Sequence, residues 1–276
     1  MYVIKNKLLP GLGIGLAGGV LLAFLFINPY QGEISLSEAV LQLSGSSGEF
    51  ALMPVFRDLI SFTIRLLPNY IFEMYLGTEL YHHFCTASIY VFSRTPHRIR
   101  WYMKEVAGVW IVTLFVQMMQ MFASIFVTAL RYQVVVNQSG IVLMLFHIVV
   151  YAMWFFAMTL LLNLLAIQFG SNHAFLIVGG IQFAFTALLE LVNLYEIMPQ
   201  FSRYFLNCNP IAHLVIGWHT GRVEILREAL DSPYHGVYME SSLFWMVGIS
   251  VVVIVCGMYL VWKHDFLNTY TEGERI

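Results

Sequence analysis

The chain has 276 residues, of which 59% are hydrophobic and only 11% are charged, with a net charge of −2. Soluble domains carry roughly 25% charged residues, so a chain this poor in charge cannot clothe a globular surface and must turn apolar side chains to lipid. The balance of charge points away from a nucleic-acid partner, and at roughly 20 apolar residues per crossing the length holds several crossings and no separate soluble domain.

The first apolar stretch covers 8–27. Lys5 and Lys7 precede it as in a signal peptide, but it is too long for an ordinary h-region, and Asn28, Pro29 and Tyr30 offer no small-x-small cleavage site. It reads as the first retained helix. Gly11, Gly15 and Gly19, with Gly18 beside them, make a doubled small-xxx-small pattern that lets another helix approach closely. Such a pattern fits a subunit contact and an intrachain contact equally. The segment 35–43 is short and amphipathic.

The second stretch, 51–76, is weaker, because Arg57, Asp58, Arg65 and Pro68 interrupt it. Its part from 66 to 76 is apolar apart from Asn69 and Glu73. It counts as a helix because leaving it out puts the flanking loops on inconsistent sides. Segment 77–105 follows, interleaving Tyr81, Phe84, Ile89, Tyr90, Val91 and Phe92 with polar residues before a basic cluster. A short amphipathic helix ending at Pro96 suits docking into a groove on a soluble partner. The same pattern suits an interfacial helix on the inner leaflet.

The remaining helices are expected at 106–130, 140–168, 175–196 and 243–262. In the third, Thr113, Gln117, Gln120, Ser124 and Thr128 share one face; in the fifth, Gln182, Thr186, Glu190 and Asn193 do. Polar faces avoid lipid, so each set lines a transport path or glues helices together. Glu190 is ionisable at membrane depth, which makes it a functional candidate, and Arg65 is its candidate ion-pair partner. Between the fifth and sixth helices, 198–242 mixes Pro, aromatics and charges, and 211–231 is expected to form one or two re-entrant or interfacial helices.

Lys5, Lys7, Arg94, Arg98, Arg100, Lys104, Lys263 and Arg275 fall on one side of this six-helix arrangement. The positive-inside rule then places both termini and the 77–104 loop in the cytoplasm. The expected fold is one all-α transmembrane domain over 1–276, in a cell membrane of bacterial type.

The three cysteines, Cys85, Cys208 and Cys256, show no CxxC spacing, and Asn137-Gln138-Ser139 is a chance-level sequon. His82 and His83 are adjacent and point to different faces, while His213 and His219 stand six apart, which is not a helical ligand spacing. No metal site is expected, nor a catalytic constellation, since no Ser sits in a Gly-x-Ser-x-Gly setting.

A helix ending near Glu79, a segment running to Phe92-Ser93-Arg94-Thr95-Pro96-His97-Arg98, and Lys104 opening the next long helix together resemble the ABC-2 type permeases of ABC transporters. The resemblance extends in architecture over nearly the whole chain and in motif over about 73–105. Two departures stand out: Gly77 precedes Glu79 where the family has Glu before Gly, and the 198–242 segment is longer than in minimal members. The resemblance implies that 77–105 is a coupling segment, with Tyr81, His82, Phe84, Tyr90, Phe92, Arg94 and Pro96 contacting a separate ATP-binding subunit. It also implies a second permease subunit. This chain has no phosphate loop, so ATP and Mg would belong to the partner and no cofactor to this chain. The substrate classes implied are peptides (antimicrobial or bacteriocin-like), drugs and lipid-linked glycans; apolar cavity walls favour the first two. The alternatives are an ion-coupled secondary carrier using Glu190, and a non-transporting immunity or scaffold protein that binds a ligand at the outer face.

Overall fold

The computed structural model describes residues 2–29, 31–45, 55–83, 98–189, 198–221, 226, 229–230 and 237–263; for 2–6, 55–58, 199 and 202–203 the backbone alone is described. The chain is mostly helical. Its main helices are α1 (Tyr2–Phe26), α2 (Leu36–Ser44), α3 (Val55–Leu76), α4 (Arg98–Arg131), α5 (Gln138–Phe169), α6 (Ser171–Ala187), α7 (Pro199–Cys208) and α8 (Met239–Lys263). Among the described residues four helices are long and apolar enough to cross a membrane: Lys7–Phe26, Arg98–Arg131, Gln138–Phe169 and Met239–Lys263.

α1 and α4 run side by side in the same direction, and glycine makes the closeness possible. A Cβ on Gly15 would lie 2.7 Å from the Val116 carbonyl oxygen, and one on Gly19 would collide with the Gln120 carbonyl. The Ser124 hydroxyl donates to the Gly19 carbonyl at 2.8 Å across the same seam. The small-xxx-small stripe is therefore an intrachain contact, deciding a point that spacing left open. Because the two helices end together, the strands that leave them, β1 (Glu33–Ser35) and β2 (Gln133–Val135), pair in parallel.

α3 continues unbroken through Pro68, whose ring seats against Gly18 of α1. Its buried stripe is Phe62, Arg65, Leu66, Asn69, Phe72, Glu73 and Leu76, while Ile60, Leu67, Ile71 and Met74 are exposed. A water-facing helix would distribute these the other way round. α5 is buried almost all round, as the centre of the bundle must be. Asn137 caps it, accepting from Gly140 N at 3.2 Å and also from Ser37 N of α2 at 3.2 Å. That sequon asparagine is committed to packing.

The 198–242 region is built from several short elements. Its described part holds two 3₁₀ turns, Ala212–Leu214 and Ile216–Trp218, then strand β3 (His219–Thr220) paired in parallel with β4 (Val237–Tyr238), while Leu226 is α-helical and its carbonyl accepts from Leu230 N at 2.8 Å. A further α-helix, α7, precedes them. Every residue from Ile211 to His219 is buried. A helix there would have kept two turns of mixed residues in one cylinder; tight 3₁₀ turns instead let Ile211, Leu214, Val215, Ile216 and Trp218 all enter the core. Two short strand pairs accompany the helices.

Candidate functional site

The inward stripe of α3 builds a polar seam through an otherwise apolar bundle. Arg65, Asn69 and Glu73 recur at four-residue spacing, so they stack along one face over roughly 12 Å. Each meets a different neighbour. The Arg65 guanidinium donates to the Gln42 carbonyl at 3.2 Å and to Ser61 Oγ at 3.4 Å, and lies 4.2 Å from the Phe26 ring centre. Its charge thus sits at the C-terminal end of α2, where free carbonyls favour a cation. Beside it, Gln120, Ser124, His147 and Tyr151 close a cavity of about 10 Å³, room for about one water molecule.

Asn69 accepts from the Gln117 side-chain amide of α4. Glu73 Oε2 accepts from Gln182 Nε2 of α6 at 2.7 Å, and the Tyr70 hydroxyl hydrogen-bonds Thr186 of the same helix. Asn69 Nδ2, Glu73 Oε1, Gln117 Oε1 and Gln182 Oε1 have no hydrogen-bond partner among the described residues. Buried polar atoms normally have one, so the seam keeps capacity for a polar ligand, water or ion.

The polar positions read from the sequence sort into two kinds. Thr113, Ser124, Thr128 and Thr186 bond back to carbonyls four residues earlier. Gln117 and Gln182 reach across to α3. Gln120 is buried at the Arg65 cavity. Glu190 and Asn193 lie outside the described residues, and with Glu190 goes the Arg65–Glu190 ion pair. Asn69 and Glu73 are the members that sequence reasoning passed over. Their signal is in the sequence: polar groups at 61, 65, 69 and 73 repeat every four residues, the spacing of one helix face.

The segment at the other end of α3 begins with a short helical stretch at 79–83. Asn163 of α5 holds its start: Oδ1 accepts from Leu80 N at 2.9 Å and Tyr81 N at 3.2 Å, while Nδ2 donates to the Leu76 carbonyl at 3.2 Å. One side chain therefore satisfies donors at a helix start and an acceptor at a helix end. Glu79 forms an ion pair with Lys7 of α1 at 2.5 Å. Tyr81 packs partly buried against the core and His82 is exposed, with their rings 5.2 Å apart. Phe84, Tyr90, Phe92, Arg94 and Pro96 lie outside the described residues.

No family model matches the chain, and no curated protein or solved structure does.

Proposed function

We propose that this chain is the membrane-spanning subunit of an ATP-driven exporter of the ABC-2 type, with six crossings, moving an amphipathic or hydrophobic substrate of peptide or drug class. α3 would be the second crossing and α6 would belong to the fifth. The outward apolar and inward polar faces of α3 support placing it in the membrane. The observation that carries the coupling role is the double clamp at 79–83. A force applied to the segment after α3 reaches α5 through Asn163 and α1 through Lys7, so motion of a soluble partner would pass into the bundle rather than dissipate in a loose loop. The seam of Arg65, Asn69, Glu73, Gln117 and Gln182 would line or gate the path.

The decisive experiment is purification of the tagged chain from its native membrane, with identification of what accompanies it. An ATP-binding subunit carrying a phosphate loop is expected, and Phe92→Ala or Arg94→Ala should release it. A chain that purifies alone and transports on a proton gradient would sink this reading. It would instead favour an ion-coupled carrier, for which Glu73 with its open Oε1 is the described candidate.

A further inference from the structure

The packed turn after α7 brings together two histidines that spacing kept apart. His213 Nδ1 lies 2.8 Å and His219 Nε2 2.7 Å from the same atom, the Ser242 hydroxyl oxygen in the first turns of α8. The far nitrogen of each ring faces a backbone carbonyl: His213 Nε2 is 3.0 Å from Asn207 O, and His219 Nδ1 is 3.1 Å from Ile216 O. All three side chains are 0% exposed.

Carbonyl oxygens only accept, so each far nitrogen carries the hydrogen in the neutral ring. Both near nitrogens are then bare lone pairs aimed at one hydroxyl, which owns a single hydrogen. The Tyr238 carbonyl, 3.1 Å away, competes for it too. Five contacts thus share three hydrogens. The neutral cluster cannot satisfy itself in any tautomer: reversing a ring only moves the unmatched pair of lone pairs to the carbonyl.

We propose that His213, Ser242 and His219 form a binding site for one proton, held between the two rings through the Ser242 oxygen. In the loaded cluster one imidazolium donates to Oγ while Oγ donates to the other ring, and the two far nitrogens keep their carbonyls. A second proton would set two cations on either side of one oxygen atom in a dry core, at a Coulomb cost that nothing described there offsets.

The surroundings fit this count. Phe146 of α5 stands edge-on to His219 at 5.2 Å, and Trp245 of α8 lies 6.3 Å from His213. His147, next along α5, turns away to stack on Tyr151 at 3.9 Å. Asn207 of α7 offers its carbonyl, and Glu240 of α8 is exposed. Arg222, Glu224, Arg227, Glu228, Asp231 and His235 belong to the same segment and lie outside the described residues. Burial holds both imidazoles below their ordinary range, so the proton enters on acidification rather than at neutral pH. A metal ion would need a third and fourth ligand, and among the described residues no three His, Cys, Asp or Glu side chains group together.

The test is ¹⁵N NMR of the histidine-labelled full-length chain in detergent micelles between pH 8 and pH 4, with His213→Asn and His219→Gln used to assign the two rings. At pH 8, His213 should carry its hydrogen on Nε2 and His219 on Nδ1. On acidification both rings should shift in one common step, each toward half an imidazolium, and Ser242→Ala should abolish that shared step. Two rings that titrate at separate pH values in the unsubstituted chain would overturn the proposal. So would two rings that stay neutral until the protein unfolds.

Discussion

The α1–α4 seam yields a graded prediction, because four glycines of one helix meet four different surroundings. A methyl group at Gly15 would sit 2.7 Å from the Val116 carbonyl oxygen, a backbone atom unable to swing aside. At Gly19 it would meet the Gln120 carbonyl and the Ala123 methyl. At Gly11 the nearest atom is the Val116 Cγ2 at 3.2 Å, a side-chain methyl able to yield a few tenths of an ångström. At Gly13 nothing lies within 4 Å. Overpacking against a fixed wall costs about 1–3 kcal/mol, whereas Gly→Ala in an unobstructed helix gains up to about 1 kcal/mol. Gly15→Ala and Gly19→Ala should therefore destabilise by about 1–3 kcal/mol, Gly11→Ala should stay within about 1 kcal/mol of zero, and Gly13→Ala should be neutral or stabilising. Thermal unfolding in detergent, followed by the fluorescence of the six tryptophans, reads this order directly. Size-exclusion chromatography alongside it separates the seam from a subunit interface. If Gly15→Ala left the melting temperature unchanged while altering oligomer size, or if Gly13→Ala cost as much as Gly15→Ala, the intrachain packing argument would fail.

Asn163→Ala removes the acceptor shared by Leu80 N and Tyr81 N, and should cost about 1–3 kcal/mol; under the proposed function it should also lower substrate-stimulated ATP hydrolysis by the partner subunit more than basal hydrolysis. Glu73→Gln keeps the shape of the seam but replaces a titratable carboxyl with an amide, so, if the proposed export role holds, transport in vesicles should drop while the melting temperature changes little; an unaltered transport rate would exclude Glu73 from the path. Asn137→Ala strips the cap of α5 and the Ser37 contact together and should cost about 1–2 kcal/mol in the same melts. For pH, His213 and His219 are depressed in the folded chain by burial, His219 to about 4, while the unfolded rings titrate near about 6.5. The unfolded chain then binds more protons below about pH 6.5, so stability falls as pH falls through that window, by about 1.4 kcal/mol per pH unit for each ring kept neutral. The double variant His213→Asn, His219→Gln should flatten that slope; an equally steep slope in its melts would place the titrating groups elsewhere.

Composition and hydropathy alone determined that this is a helical chain built for lipid, because an 11% charged chain has no other way to cover itself. The positions of α1, α4, α5 and α8 followed from the same physics, since about 20 apolar residues are both the length of a crossing and a signal that needs no partner to be read. The polar faces of α4 and α6 were legible from their spacing, and Gln117 and Gln182 do point inward. What they point at was not legible. Asn69 and Glu73 lower the hydropathy of α3 and so read as defects; only the packed bundle shows that they are its inner face. The glycine stripe likewise announced a close approach, but whether to another subunit or to α4 depended on which backbone fills the space. The clearest case is the pair of histidines. In sequence, a spacing of six between His213 and His219 fits no helical site, and that reasoning was sound for a helix. The chain there is not one: two 3₁₀ turns and a strand fold both rings onto Ser242, a residue more than twenty positions away. Local periodicity can report a helix face, but convergence across a turn is made by burial of the whole segment, which only the tertiary structure decides.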